Sequence, residues 1–471
     1  MVKFRFDLSR VKFFLLFLAQ SNSLLIYSSF HFNYFWLMEI VRGLIGLLFL
    51  IATAYLFSTN RKAIDWRLVG VGILLQVSLG VLLIKIPFVN EIFQKIGDGF
   101  VIFLNFTREG ARFLFSDLAI NSFNDTNAKH SFGHIFAFQA LPTVIFFSTI
   151  TAGLYYLGIL QKIVIGIAWV MARSMRLSGA ESLSAAGNIF LGQTEAPLLI
   201  KPFIANMTKS ELLCLMTGGM ATIAGSVLGA YVGMLGGSDP AEQAKFAAHL
   251  LSASIMNAPA AIVISKILLP QTENIDVELK VNKEKLGVNL IDAMSMGAAD
   301  GLKLALNIGG MLLAFIAVIA MLNYILQNLI GDWTGINEII KSTTDGQFKG
   351  LSLEYLLGQL FRLVAFAIGV DWQDCLQIGS LLGQKTAINE FVAYANLGAI
   401  KSANLINEKS ILIATYALCG FSNFSSIAIQ VGGIGSMAPN QQANLSKLGM
   451  KALLAASLAC LMTATIAGAV G

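Results

Sequence analysis

The sequence predicts an all-α polytopic membrane protein with eight transmembrane helices, and three observations carry that reading. Of 471 residues, 56% are hydrophobic and 13% are charged, against about a quarter charged in ordinary soluble domains. Mean hydropathy is +0.71, more apolar surface than a soluble fold can hide. The apolar residues come in blocks near the ~20 residues that cross a hydrocarbon core, separated by short clusters of Lys and Arg.

Taken in order, spanning blocks run over 40–57, 68–86, 140–160, 212–235, 246–269, 302–326, 410–431 and 448–470. Arg61, Lys62 and Arg67 follow the first block, where the positive-inside rule places a cytoplasmic loop. Segments 91–118, 161–177, 180–204, 287–300 and 351–397 are apolar but too short, too amphipathic or too interrupted to cross, so they read as interfacial or re-entrant pieces. Gln271 to Lys285 is a strongly polar loop and a natural hinge between two halves, and Lys341 to Lys349 is a second polar break. Residues 1–37 place Lys3, Arg5, Arg10 and Lys12 before a short apolar run, Phe13 to Ala19. That extension reads as a poor signal peptide or an over-long gene start ahead of Met38.

The two halves share a pattern. In each, a broken apolar segment carrying a glutamate (Asn188 to Pro197; Gly383 to Tyr394) precedes a helix interrupted by small or polar residues (Gly218 to Gly233; Cys419 to Gly435). Interrupted segments at matching places in two halves are the sequence mark of a transporter site near the bilayer midplane.

Glu195 sits in Gly-Gln-Thr-Glu-Ala-Pro inside an apolar stretch, which costs about 2.5–3.5 kcal/mol on insertion scales. Gln193 and Thr194 stand beside it, and Gly192 and Pro197 favour a turn whose freed backbone must be buried in protein or face water. A capping or interhelical glutamate is the plainer alternative. Glu390, with Asn389 beside it, repeats the arrangement in the second half, and Lys385 is poorly phased to pair with it on a helix. Ser422, Asn423, Ser425 and Ser426 interrupt a spanning block. Small polar residues can simply let helices pack closely. The amide of Asn423 nevertheless needs partners, and i, i+3 spacing puts Ser426 on its face. Donors and acceptors beside a carboxylate suit a vicinal diol such as a ribose, and Phe421 offers an aromatic wall.

Other chemistries find little support. The net charge of +5 is spread over short loop clusters and makes no stripe for nucleic acid. Cys214, Cys375, Cys419 and Cys460 have no ligand spacing and read as small buried hydrophobes. His31, His130, His134 and His249 show no zinc-enzyme spacing. Gly432-Gly433-Ile434-Gly435 follows a helix and not a strand, so it is no dinucleotide loop. No Ser/His/Asp set can be assembled in the apolar segments, which argues against an enzyme.

The strings Ser58 to Ile64, Leu141 to Ser148, Asn188 to Pro197, Thr386 to Tyr394 and Cys419 to Ala428, in this order, resemble the concentrative nucleoside transporter family, bacterial sodium-coupled type. The resemblance runs from Met38 to the C-terminus. It implies eight transmembrane helices, three interfacial helices and two re-entrant hairpins with an internal inverted repeat, in a homotrimer of the inner membrane. It divides the chain into scaffold helices (38–160), a first transport repeat (161–270), a connecting loop with interfacial and scaffold helices (271–350) and a second transport repeat (351–471).

By the same resemblance Gln193, Thr194 and Glu195 would address the base, and Glu390, Asn423 and Ser426 the ribose hydroxyls, with Val227, Leu304 and Phe421 as apolar walls. Sodium would lie among Asn188, the carbonyl of Leu191, Thr222 and the carbonyl of Ile223. Thr222 stands where the family usually has serine, yet its hydroxyl can still ligate. Proton-leaning relatives tend to lose the polar side chains here, and Asn188 is present. The function implied is sodium-driven import of nucleosides of the uridine, cytidine and adenosine class by an elevator-like movement, with no cofactor. The rivals are proton coupling through Glu195 or Glu390, a membrane enzyme acting on a lipid or polyprenyl substrate, and a nucleoside sensor that binds without transport.

Overall fold

The computed structural model describes residues 38–119, 135–237, 239–279 and 287–471. Residues 1–37, His130, His134 and most of the charged part of the 271–285 loop lie outside them. All regular structure among the described residues is helical, with no strand, as befits backbone that must satisfy itself in hydrocarbon. Among the described residues, seven helical segments are long and apolar enough to cross a bilayer: Met38–Leu56, Trp66–Lys85, Phe136–Tyr156, Lys209–Gly236, Pro240–Leu268, Leu290–Thr334 and Pro439–Val470. They coincide with seven of the eight predicted blocks.

The eighth block, 410–431, is two helices with a gap between them, Glu408–Leu418 and Phe424–Met437. Neither is long enough to cross alone. Gly420, at φ +154°, breaks the helix, and the Asn423 side chain starts the next by accepting from Ser426 N at 2.9 Å.

In chain order the main elements are α1 (Met38–Leu56), α2 (Trp66–Gly80), α3 (Pro87–Phe115), α4 (Leu141–Tyr156), α5 (Ile159–Met175) and α6 (Gly179–Gly187). There follow α7 (Lys209–Ala221), α8 (Gly225–Gly236), α9 (Pro240–Leu268), α10 (Leu290–Tyr324) and α11 (Leu353–Ala367). The chain ends with α12 (Cys375–Ala387), α13 (Glu390–Ser402), α14 (Glu408–Leu418), α15 (Phe424–Met437) and α16 (Gln442–Val470).

Segment 287–300 departs from its expectation as a separate interfacial piece, because it is the first part of α10, one helix of 35 residues. Its glycines serve packing and not interruption. A Cβ on Gly297 would fall 2.6 Å from Ser148 O, and one on Gly301 would fall 2.8 Å from Ile145 Cα, both on α4. Small residues of this kind let two membrane helices approach closely.

Each half contains a helix that gives way to a turning segment and is followed by an interrupted helix. In the first, α6 leads through irregular chain and single turns to Ile204, then α7 and α8 flank a break at 222–224. In the second, α12 turns at 388–389 into α13, then α14 and α15 flank the break at 419–423. The starts are set by caps. Ser178 and Glu181, then Thr208 and Glu211, form capping boxes at α6 and α7, and Asn389 and Asn407 cap α13 and α14.

α9 lies at the centre and packs on α2, α3, α7, α8 and α16. The most apolar stretch of Lys209–Gly236 is 94% buried, whereas that of Leu290–Thr334 is 11% buried. The interrupted helix of the first half is therefore core, and α10 presents a wide outer face. A buried ion pair between Lys266 of α9 and Glu181 of α6 ties α6 to this core. Lys266 Nζ also donates to Ser210 Oγ at 2.9 Å.

Candidate substrate and cation site

Both glutamates are placed by the starts and stops of helices. Glu390 is the first residue of α13, and Asn389 before it accepts from Val392 N at 3.0 Å. Glu195 lies in irregular chain after α6, where Gly192 N donates to its Oε2 at 3.1 Å. Lys385 makes no pair with Glu390, for it donates to Ala417 O at 2.8 Å, at the C-terminal end of α14.

The structure brings Gln193, Thr194, Glu195, Val227, Leu304, Glu390, Phe421, Asn423 and Ser426 to one cavity. Its volume is about 130 Å³, an order of magnitude above the ~10–15 Å³ that one water needs. A solute, and not a single water, fits that space. Ile308 and Met311 of α10 complete its apolar side. A wider cavity of about 490 Å³ adjoins it, sharing Thr194, Glu195 and Leu304 and lined further by Asp300, Lys303 and Asn307.

One wall is a continuous polar network. Asn423 Nδ2 donates to Glu390 Oε2 at 2.8 Å and Tyr231 Oη donates to Oε1 at 3.0 Å. Gln193 Nε2 donates to Ser426 Oγ at 3.2 Å, so the first half touches the second across the cavity. Gln430 Nε2 donates in turn to Gln193 Oε1 at 3.2 Å and to Met216 O at 3.1 Å. Tyr231 and Gln430 were not predicted. Tyr231 stacks on Tyr394 with ring centroids 4.7 Å apart, so in sequence it looks like any core aromatic. Gln430 sits alone among apolar residues, and its burial in a spanning block was the signal available.

The four cation candidates also adjoin one another. Asn188 and Leu191 lie on the stretch after α6, Thr222 and Ile223 lie in the break, and all four are buried. Gly225 N donates to Phe190 O at 3.1 Å, tying the two segments together. Asn188 Oδ1 is buried with no hydrogen-bond partner among the described residues. Thr222 Oγ1 donates to Gly218 O at 2.9 Å, which leaves its lone pairs free. Neutral oxygens from broken helices suit a hard monovalent cation. Among the described residues no cluster of His, Cys, Asp and Glu offers a transition-metal site. His249 instead faces Tyr416 Oη at 3.2 Å.

Two interrupted helices in repeated halves, with cavity-lining carboxylates on the segments before them and a buried amide at the second interruption, are the architecture of a secondary transporter. Family profiles match nearly the whole chain: "Na+ dependent nucleoside transporter N-terminus" over 45–118, "Nucleoside recognition" over 137–238 and "Na+ dependent nucleoside transporter C-terminus" over 249–468. The chain belongs to the Na+-dependent nucleoside transporter family. It is a transporter and not an enzyme, and sodium is its coupling ion.

An uncharacterized transporter of Haemophilus influenzae is 40% identical over 436 residues, 92% of this chain and 98% of that one. The sodium/nucleoside cotransporter 1 of Mus musculus is 38% identical over 444 residues, 90% of this chain but 62% of the mouse protein. Among solved structures, CNTnw in an inward-facing substrate-bound state superposes with TM-score 0.81 at 38% identity, covering 92% of this chain and 98% of that one. A variant of CNTnw in an outward-facing state gives TM-score 0.80 at 38% identity over 92% and 98% of the two chains.

Proposed function

We propose that this chain imports nucleosides across a bacterial inner membrane as a homotrimer, each protomer binding one nucleoside and sodium between its two repeats. The observation that carries the reading is that Glu195 and Glu390, 195 positions apart in sequence, line one cavity. On the second-half side, Glu390, Asn423 and Ser426 hold the ribose hydroxyls: the carboxylate accepts from a vicinal diol, and the amide and hydroxyl supply the complementary groups. On the first-half side, Gln193, Thr194 and Glu195 address the base, with Val227, Leu304 and Phe421 against its faces. Sodium sits among Asn188, Leu191, Thr222 and Ile223 and holds the stretch that carries Gln193 and Thr194, so the base-side groups are ordered when the ion is present.

Transport follows an elevator-like path. The repeats over 161–270 and 351–471 move as a unit against scaffold helices within 38–160 and 271–350, those before and after the first repeat. Support comes from the likeness to CNTnw in both inward- and outward-facing states and from the outer face of α10, which suits contact with lipid and neighbouring copies.

The test is uridine binding to the purified protein in sodium, with competition by each natural nucleoside, for wild type and Glu390→Gln. Losing a charged hydrogen bond to substrate is worth about 1.5–3 kcal/mol, so Glu390→Gln should weaken uridine by roughly 10- to 100-fold. Wild-type affinity in this variant would remove the ribose assignment.

A further inference from the structure

The two helix interruptions stand back to back in the centre of the protein. α7 stops at Ala221, one residue before Thr222, and α14 stops at Leu418, one residue before Cys419. Each stop leaves carbonyls without an intrahelical donor, and both ends carry partial negative charge. Unaided, two such ends repel.

Asn257 of α9 lies between them, fully buried. Its Nδ2 donates to Ala221 O at 2.7 Å and to Cys419 O at 2.8 Å, which places its two amide hydrogens on the last carbonyl before the first break and the first carbonyl of the second. Cys460 Sγ of α16 reaches the same two oxygens at 3.4 and 3.3 Å. Gly420 permits the approach, since a Cβ there would fall 2.7 Å from both Ala221 O and Cys460 Sγ. Pro259, two residues on inside α9, has no backbone N–H to donate to the carbonyl one turn before it.

We propose that Asn257 is the positioning residue that couples the cation site to the nucleoside site, by clasping the two breaks so that ordering one orders the other. The proposal rests on the assignment of Asn188 and Thr222 to sodium and of Glu390 and Asn423 to the nucleoside. An ion held at Thr222 and Ile223 fixes the backbone directly after Ala221. Asn257 passes that constraint to Cys419, four residues before Asn423, whose amide holds Glu390. By reciprocity a bound nucleoside tightens sodium by the same factor.

A residue that merely packs would lower stability, or weaken uridine equally with and without sodium. A clasp changes the ratio of the two affinities. The full-length protein is titrated with uridine in saturating sodium and in choline, for wild type, Asn257→Ala, Cys460→Ala and Asn188→Ala, with folding checked by gel filtration. Wild type should show a Kd ratio within the roughly 5- to 150-fold range of coupled sites. Asn257→Ala should lower it at least ~5-fold and Cys460→Ala, which removes only the weaker bonds, about 2-fold. A wild-type ratio in folded Asn257→Ala beside a collapsed ratio in Asn188→Ala overturns the clasp alone. If Asn257→Ala does not fold, a wild-type ratio in Cys460→Ala overturns it. A ratio of one in wild type overturns the site assignment, and the clasp with it.

Discussion

Glu390 is held by donors from both halves of the chain, Tyr231 from α8 and Asn423 at the start of α15. A buried carboxylate needs such partners, because an unsatisfied buried acceptor costs about 1–3 kcal/mol and a charged one more. The two donors also aim it: both oxygens are engaged, so the carboxylate has one orientation toward the cavity. Removing the phenol therefore loosens the group without removing it. Tyr231→Phe should raise the KM for uridine by roughly 5-fold and leave the turnover rate near that of wild type, checked by initial uptake rates in vesicles. An unchanged KM would mean that Tyr231 is packing only. The carboxylates were legible in sequence because an acid in an apolar block is costly wherever it stands. Tyr231, Gln430 and Asn257 were not, because a single tyrosine or amide has many satisfying environments, and its partners here are 159, 214 and 162 positions away.

At the scale of elements, the long helices follow from hydropathy and their ends from caps, which is why the seven long apolar spans, one of them interrupted at 222–224, were readable from sequence. Segment 287–300, expected as a separate interfacial or re-entrant piece, runs instead into α10, and its glycine has a different use from that of Gly420. At Gly420 the residue breaks a helix, at a φ that other residues rarely adopt, whereas at Gly297 and Gly301 it admits a neighbour and the helix continues. The two uses look alike in sequence and differ only by what lies opposite. Gly297→Leu should force α10 away from α4, because even a Cβ would meet Ser148 O at 2.6 Å. Overpacking of this kind costs about 1–3 kcal/mol, so the thermal midpoint of the purified protein should fall. Gly310 faces open space on the same helix, and Gly310→Leu should leave the midpoint near wild type. Equal effects of the two would contradict the packing.

For the whole molecule, the fold places two sets of oxygens within one interrupted core, those proposed for the cation in the first half and those proposed for the ribose hydroxyls in the second. Binding at one is useful to the other only if the ion's gradient moves the solute. Labelled uridine uptake into proteoliposomes measures this most directly, with an inward sodium gradient or with choline replacing sodium at fixed pH. Sodium-coupled symport predicts transient accumulation above the external concentration in sodium, and only slow equilibration in choline. Undiminished, concentrative uptake in choline would contradict it and return the coupling to protons.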